Sequence, residues 1–282
     1  MSELPRFHAA DDSDAFRVAV GSRFLVGMGG RLLSVLAATG SRRVTRTAER
    51  LWAAGLRKLV DLRLETSGMR YVDPEGQYVV VSLHEGFADA LALLRLPLDL
   101  RFTARDELFD WPVLGNYLRA SRQVRIDERP GVAASRRLMR DIHDVFEAGE
   151  SLVVFPQGSI LGIEVAFRTG VSRIARSVDR PLLPVVLTGS HTVWEHPFAD
   201  AVRLGQRVSM EILPPVAAAD LDDTTMRELE RTMKDTALAS SVASPRRFVP
   251  EEDGWWDGYR YEIDPTFDEL ARRVALRRAR TT

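Results

Sequence analysis

The sequence predicts an α/β fold with a largely parallel central sheet flanked by helices, and three observations carry that expectation. Short, nearly unbroken apolar runs occur at Tyr78–Leu83, Leu152–Phe155 and Leu182–Thr188. Segments of helical spacing lie between these runs, and strands that alternate with helices imply crossovers between parallel neighbours. A turn cluster, Asp73-Pro74-Glu75-Gly76, opens the region, with residue types that favour chain reversal.

Taken in order, residues 15–39 are apolar, with Arg17, Arg23 and Arg31 on one arc of a helical wheel. Gly21, Gly27, Gly29 and Gly30 weaken a continuous helix and predict two short ones. This pair either packs on the core with its arginines reaching to water or lies on anionic lipid as an interfacial anchor. A further helix is expected over 44–64, carrying Leu51, Leu56, Leu59, Val60 and Leu64. After the turn come a strand at 78–83, a helix after Asp89, strand 99–103, helix 111–121, strand 123–127, helix 133–148, strand 152–155, helix 168–178 and strand 182–188. Val208–Leu213 with Pro214-Pro215 reads as a last strand and exit, and 222–240 as a surface helix. Beyond it, Phe248–Tyr261 is aromatic-rich, and Asp264-Pro265 has the cap and first-turn residues of another helix. Three regions follow: an N-terminal helical region (1–72), an α/β core (73–216) and C-terminal helices with an aromatic tail (217–282).

Composition removes several function classes. The 282 residues carry a formal net charge of −1, which argues against a global nucleic-acid binder. With no cysteine, a thiol nucleophile, a disulfide and cysteine-ligated zinc are all excluded. His191 and His196 flank Trp194 without suitable partners beyond Glu195, so no metal site is expected and these histidines are read as shaping a loop. The longest stretch free of charged residues, Pro181–Trp194, falls well short of the ~20 residues that span a bilayer. The acidic N-terminus (Glu3, Asp11, Asp12, Asp14) does not resemble a signal peptide.

The segment His84-Glu85-Gly86-Phe87-Ala88-Asp89 follows the first predicted core strand. Five residues along one helix or one strand keep two side chains apart, so His84 and Asp89 can meet only across a turn. Gly86 supplies a permissive backbone for one. An imidazole held there by a carboxylate is a general base. The plainer alternative is a strand-ending histidine beside a helix-capping aspartate, and the hexapeptide by itself favours it. Position adds weight to the catalytic reading: His84, Asp127–Arg129 and Pro156–Ser159 all fall after strands, where parallel sheets bind ligands.

The pattern resembles the first motif, His-x-x-x-x-Asp, of glycerolipid acyltransferases of the 1-acyl-glycerol-3-phosphate acyltransferase type. Gln123-Val124-Arg125-Ile126-Asp127-Glu128-Arg129 is similar to that family's second block, with Glu128 interposed before the arginine. Phe155-Pro156-Gln157-Gly158-Ser159 is similar to its Phe-Pro-Glu-Gly-Thr-Arg block, and Phe167-Arg168-Thr169-Gly170 to the Phe-Lys-x-Gly that follows. Leu182-Leu183-Pro184-Val185-Val186 resembles the Pro-centred fourth block, and the order is the family's throughout residues 76–216. The resemblance implies an O-acyltransferase of lipid metabolism and phospholipid biosynthesis that draws acyl groups from acyl-CoA or acyl carrier protein, with no cofactor. It implies His84 as the base and Asp89 as its orienting carboxylate. Arg129, then Arg125, would meet the acceptor's polar end, with Gln157, Gly158 and Ser159 beside them. Gly158 and Ser159 would offer N–H groups to an oxyanion, and Arg168 would contact the donor.

Gln157 stands where the family has glutamate and Ile160 where it has arginine. Losing both charges favours an uncharged lipid alcohol or polyol as acceptor. The implied setting is a membrane surface, reached from the cytoplasmic side. Glu85, next to His84, is expected to point to solvent or into a salt bridge. Two other classes stay open: a lipid hydrolase, although Gly158-Ser159-Ile160-Leu161-Gly162 lacks a nucleophile elbow's geometry, and a catalytically silent lipid- or acyl-carrier-binding protein.

Overall fold

The computed structural model describes residues 6–8, 17, 20–21, 27–86, 88–111, 113–127, 131–160, 163, 165–194, 201–242, 255–256 and 259–260. Its centre is a seven-stranded sheet in the order β2-β9-β7-β3-β6-β4-β5. The strands are β2 (Arg63–Ser67), β3 (Val79–Ser82), β4 (Leu100–Arg105), β5 (Val124–Ile126), β6 (Ser151–Val154), β7 (Leu182–Thr188) and β9 (Arg207–Ile212). Short pairs lie outside it: β1 (Arg6–His8) with β8 (Ala201–Arg203), and β10 (Trp255–Trp256) with β11 (Tyr259–Arg260). Every neighbouring pair in the main sheet is parallel except β7 and β9. The largely parallel expectation therefore holds, with one edge reversed.

The unbroken apolar runs belong to strands covered on both faces. Val79, Val81, Leu152 and Val154 face a core completed by Ile142 and Phe146 of helix α5 (Val132–Glu147), Val171 and Ala175 of α6 (Gly170–Val178), and Leu229 and Met233 of α7 (Asp223–Ala239). Val80, Val153, Leu183 and Val185 face the other layer with Val72, Tyr78, Ala92 and Leu93. Side chains alternate along a strand, so both faces must be apolar when both are covered.

One element departs from expectation. The helix read over 44–64 is α2, Arg42–Leu59; its chain turns at Val60 and at Asp61, whose φ is 50°. Residues 63–67 then form β2, parallel to β9, with Leu64 opposite Val208. This strand is an exposed edge in which only Leu64 is partly buried, and its four polar side chains leave no strand-like apolar pattern. The guanidinium of Arg207 donates to Glu65 Oε1 at 2.8 and 2.6 Å and ties the pair together.

Preceding α2, α1 (Gly30–Ala38) is the second of the two helices expected from residues 15–39; of the first, only Arg17, Val20 and Gly21 are described, all helical. Helix α1 buries Leu33 and Ala37, while Met28, Leu32 and Val35 stay exposed. The turn at 73–76 forms as read, with Gly76 N–H donating to Asp73 O at 3.0 Å. The remaining helices are α3 (Asp89–Leu93) and α4 (Leu114–Ala120). The helix expected after Asp264 lies outside the described residues, as do Arg129, Glu195 and His196.

Candidate active site

Strand β3 delivers the chain to the C-terminal end of the parallel strands, where Leu83 N–H still bonds Val185 O at 3.2 Å. There the chain turns: Asp89 N–H donates to Gly86 O at 3.2 Å and α3 starts. The turn closes the gap that neither helix nor strand could, bringing His84 Nδ1 to 2.6 Å from Asp89 Oδ2. The same oxygen accepts the N–H groups of Glu85 at 2.7 Å and Gly86 at 3.0 Å. Asp89 Oδ1 accepts the hydroxyl of Ser190.

Asp89 is fully buried, and a buried carboxylate persists only with such partners. The carboxylate accepts, so Nδ1 of His84 carries the proton and Nε2 is left with a lone pair. The imidazole stacks on the Phe155 ring with centroids 3.9 Å apart. The histidine side chain keeps 21% of its surface accessible, against none for Asp89. A held ring with one accessible side is what proton transfer to a bound molecule requires.

Glu85 does not reach solvent. It is buried and forms the second of the two expected arrangements, with Oε2 accepting Gly189 N–H at 2.6 Å and lying 3.0 Å from His191 Nδ1. His191 does shape a loop, as expected, but from a buried position and through that carboxylate. Gly86 is needed for a reason other than the one read. A Cβ there would sit 3.2 Å from Ser190 O and 3.3 Å from His191 Cα, so close approach of two turns favours the glycine.

Beyond β6, Gly158 adopts φ 67°, and its N–H donates to Phe155 O at 3.1 Å. That bond removes it from the oxyanion role expected of it. Gln157 is wholly buried and Ser159 nearly so. Arg168 N–H bonds Pro156 O at 2.9 Å, and its guanidinium packs against Gly158, where a Cβ would be 2.9 Å from Cζ. The two motif segments 155–159 and 167–170 thus form one folded unit, and Phe155 sets it against His84.

Arg125 is half-buried on β5 with its guanidinium 4.7 Å over the Phe109 ring, so it is not a fully solvated strand residue. Three strand spacings separate β5 from β3, roughly 14 Å, and Arg125 can meet only the far part of a molecule at His84. Asp127 is held by Arg137 Nη2 at 2.6 Å. Sequence reading passed over Phe155 and Ser190 as site residues. For Ser190 a signal existed: it follows β7, a strand whose C-terminal end lies on the ligand side of a parallel sheet. Among the described residues no group of three His, Cys, Asp or Glu side chains is placed to hold a metal ion.

The acyltransferase family matches residues 63–188, which begins at β2 and ends with β7. Over 180 residues the chain is 25% identical to a 1-acyl-sn-glycerol-3-phosphate acyltransferase of Limnanthes alba, covering 62% of this chain and 61% of that one. A protein of the same description from Bacillus subtilis is 26% identical over 115 residues, 40% of this chain and 56% of its own. The chain thus spans somewhat over half the length of the curated relatives it matches. The crystal structure of the 1-acyl-sn-glycerophosphate acyltransferase PlsC from Thermotoga maritima superposes with a TM-score of 0.64 at 17% identity, covering 86% of this chain and 96% of that one, which establishes the shared fold. The matched segment contains the His84–Asp89 pair, the paired segments 155–159 and 167–170 and the strands that place them, so over residues 63–188 the chain is similar to the acyltransferase family.

Proposed function

We propose that the protein is an O-acyltransferase that moves a fatty acyl group from a thioester, acyl-CoA or acyl carrier protein, to a hydroxyl of a glycerolipid-like acceptor. The observation that carries this reading is the 2.6 Å contact between a partly accessible His84 and a fully buried Asp89. In this reaction Nε2 of His84 takes the proton of the acceptor hydroxyl as its oxygen attacks the thioester carbonyl. The C–O bond forms, the C–S bond breaks, and the imidazolium returns its proton to the departing thiolate. Asp89 keeps the tautomer and balances the transient imidazolium charge. General-base assistance of this kind is typically worth about 10² to 10⁴ in rate.

The acceptor end is proposed to be uncharged, because Gln157 and Ile160 stand where the family carries glutamate and arginine. Gln157 retains hydrogen-bonding capacity without charge. Arg129 and Arg125 are the proposed contacts for the acceptor's polar end, and Arg168 for the donor. The setting is proposed to be the cytoplasmic face of a membrane. Among the described residues no helix is long and apolar enough to cross one, but Met28, Leu32 and Val35 recur at helical spacing and are exposed, as an interfacial face would be.

Transfer from radiolabelled acyl-CoA to monoacylglycerol, glycerol 3-phosphate and lysophosphatidate tests both parts. Ester formation that His84→Ala abolishes supports the mechanism; release of free fatty acid instead marks a hydrolase, and no turnover with retained acyl-CoA binding marks a silent member. A preference for either phosphate acceptor overturns the uncharged-acceptor proposal. For the membrane, Leu32→Asp with Val35→Asp should abolish sedimentation with anionic vesicles and leave transfer to a soluble acceptor intact. Point changes suit this better than truncation, since α2 supplies Arg46 to a buried ionic network.

A further inference from the structure

We propose that Ser190 is a positioning residue for the His84–Asp89 pair, anchored by a second histidine–carboxylate pair, Glu85–His191; the inference rests on the acyl-transfer reading. Helix α3, which carries Asp89, has only five residues, too few to hold a side chain in place by its own hydrogen bonds. Placement must come from outside the helix. Asp89 Oδ2 takes three contacts from its own turn, namely His84 Nδ1 and the N–H groups of Glu85 and Gly86. Ser190, 101 residues away, takes Oδ1. A carboxylate turns easily about its last bond, and fixing both oxygens stops the rotation that would draw Oδ2 away from the imidazole.

Ser190 is itself fixed. Gly189 at φ 90° directs the chain into the turn Ser190–Thr192. Glu85, the residue beside His84, then accepts Gly189 N–H and holds His191 through Nδ1. The clamp is crossed: the turn at 84–89 supplies both carboxylates, the turn at 189–191 supplies the hydroxyl, the N–H and the second imidazole, and Gly86 lets the two backbones touch. Ser190, Glu85 and His191 are all buried, so none touches a substrate. They act through Asp89. By drawing charge toward Oδ1, the Ser190 hydroxyl also sets how strongly Oδ2 attracts the Nδ1 proton of His84.

The test compares purified full-length Ser190→Ala, Ser190→Val and Ser190→Thr with wild type and with His84→Ala. Threonine keeps the hydroxyl, whereas valine copies its shape without one. Expected are a kcat lowered about 10- to 100-fold in the alanine and valine variants, KM for acyl-CoA within twofold of wild type, and recovery in the threonine variant. The NMR resonance of the His84 Nδ1 proton should move in alanine and valine and stay in place in threonine, a readout that requires no turnover. Alanine and valine variants with wild-type kcat and an unmoved resonance overturn the proposal, as does equal loss in valine and threonine, which would mark a packing role. Retention of transfer by His84→Ala instead overturns the role of His84 as base, and absence of ester formation by wild type overturns the acyl-transfer reading; in either case the wild-type and Ser190-variant resonances decide the Ser190 contact separately.

Discussion

The two ends of the parallel strands carry buried polar clusters built from similar groups and put to opposite uses. At the C-terminal end, Asp89 holds His84, whose ring keeps an accessible side. At the N-terminal end, Glu150, which precedes β6, accepts Arg46 Nε at 2.7 Å on one oxygen and pairs with Arg101 Nε through the other. Arg46 also bonds both oxygens of Glu49, at 2.7 and 2.8 Å, and Tyr117 donates to Glu49. Burial opposes the Arg46 charge, but Glu49 and Glu150 outweigh it and hold the guanidinium above the ordinary arginine range. Burial, reinforced by Glu49, likewise pushes the Tyr117 hydroxyl well above its usual range. Arg46 thus stays charged and Tyr117 stays protonated. In the upper cluster one side of the His84 ring faces outward. One cluster pins α2 to the sheet; the other holds the imidazole that the proposed reaction would use as its base.

Charge-removing changes at each end should separate these uses. Asp89→Asn keeps the shape but loses the charge that orients His84, and should reduce kcat on the order of 10³- to 10⁴-fold, by analogy with other carboxylate-oriented histidines. Glu150→Ala should do the reverse. It leaves Arg46 facing only Glu49 and Arg101 without its carboxylate partner, in a site where breaking a buried pair costs about 3–5 kcal/mol. Urea denaturation should register that loss, while kcat of the folded fraction stays near wild type. A large kcat loss in the Glu150 variant under native conditions, or a larger stability loss in Asp89→Asn than in Glu150→Ala, would break the division between the two ends.

The same contrast explains what could be read without coordinates. His84 and Asp89 were legible because they lie five residues apart and one turn joins them; the turn depends on local chemistry. The covered strands were legible because burial on both faces writes itself as a continuous apolar run. Strand β2 was not, since its single neighbour and exposed faces impose no such pattern on Arg63–Ser67. Ser190 and His191 were missed as partners because their contacts join residues 101 and 106 positions apart. Those contacts depend on β7 lying next to β3, and apolar strands do not announce their order in a sheet. The buried network of Arg46, Glu49, Glu150 and Arg101 was hidden for the same reason: on a helical wheel Arg46 and Glu49 look like any solvated face, and Glu150 and Arg101 lie about 100 and 55 residues further on.

A smaller effect sharpens the comparison within the upper end. Gly158 sits at φ 67° with the Arg168 guanidinium against it. In Gly158→Ala the side chain of Arg168 can move aside, but the left-handed backbone conformation should still cost about 1–2 kcal/mol. Denaturation should show that loss. Activity should fall far less than in Asp89→Asn, because the His84–Asp89 contact does not pass through Gly158. A loss of kcat as large as that of Asp89→Asn would show that the 155–159 turn belongs to the proton-transfer machinery itself.

Asp222 gives the lower limit of what a carboxylate contributes in this molecule. It caps α7, the helix that brings Leu229 and Met233 to the core, but its side chain is exposed and accepts Thr225 N–H at 2.7 Å. That backbone bond holds its carboxyl below the usual range. A carboxyl depressed in the folded state stabilises the fold above its unfolded value and loses that contribution as pH falls through the folded one. Asparagine also caps helices well and has no carboxyl to protonate. Wild type should therefore melt slightly above Asp222→Asn near neutral pH, and the gap should close as pH drops below about 4. Thermal melts of both proteins across that interval read the difference directly. A gap that persists or widens in acid would mean that the cap acts through shape alone, and that only buried carboxylates such as Asp89 and Glu150 draw on their charge in this fold.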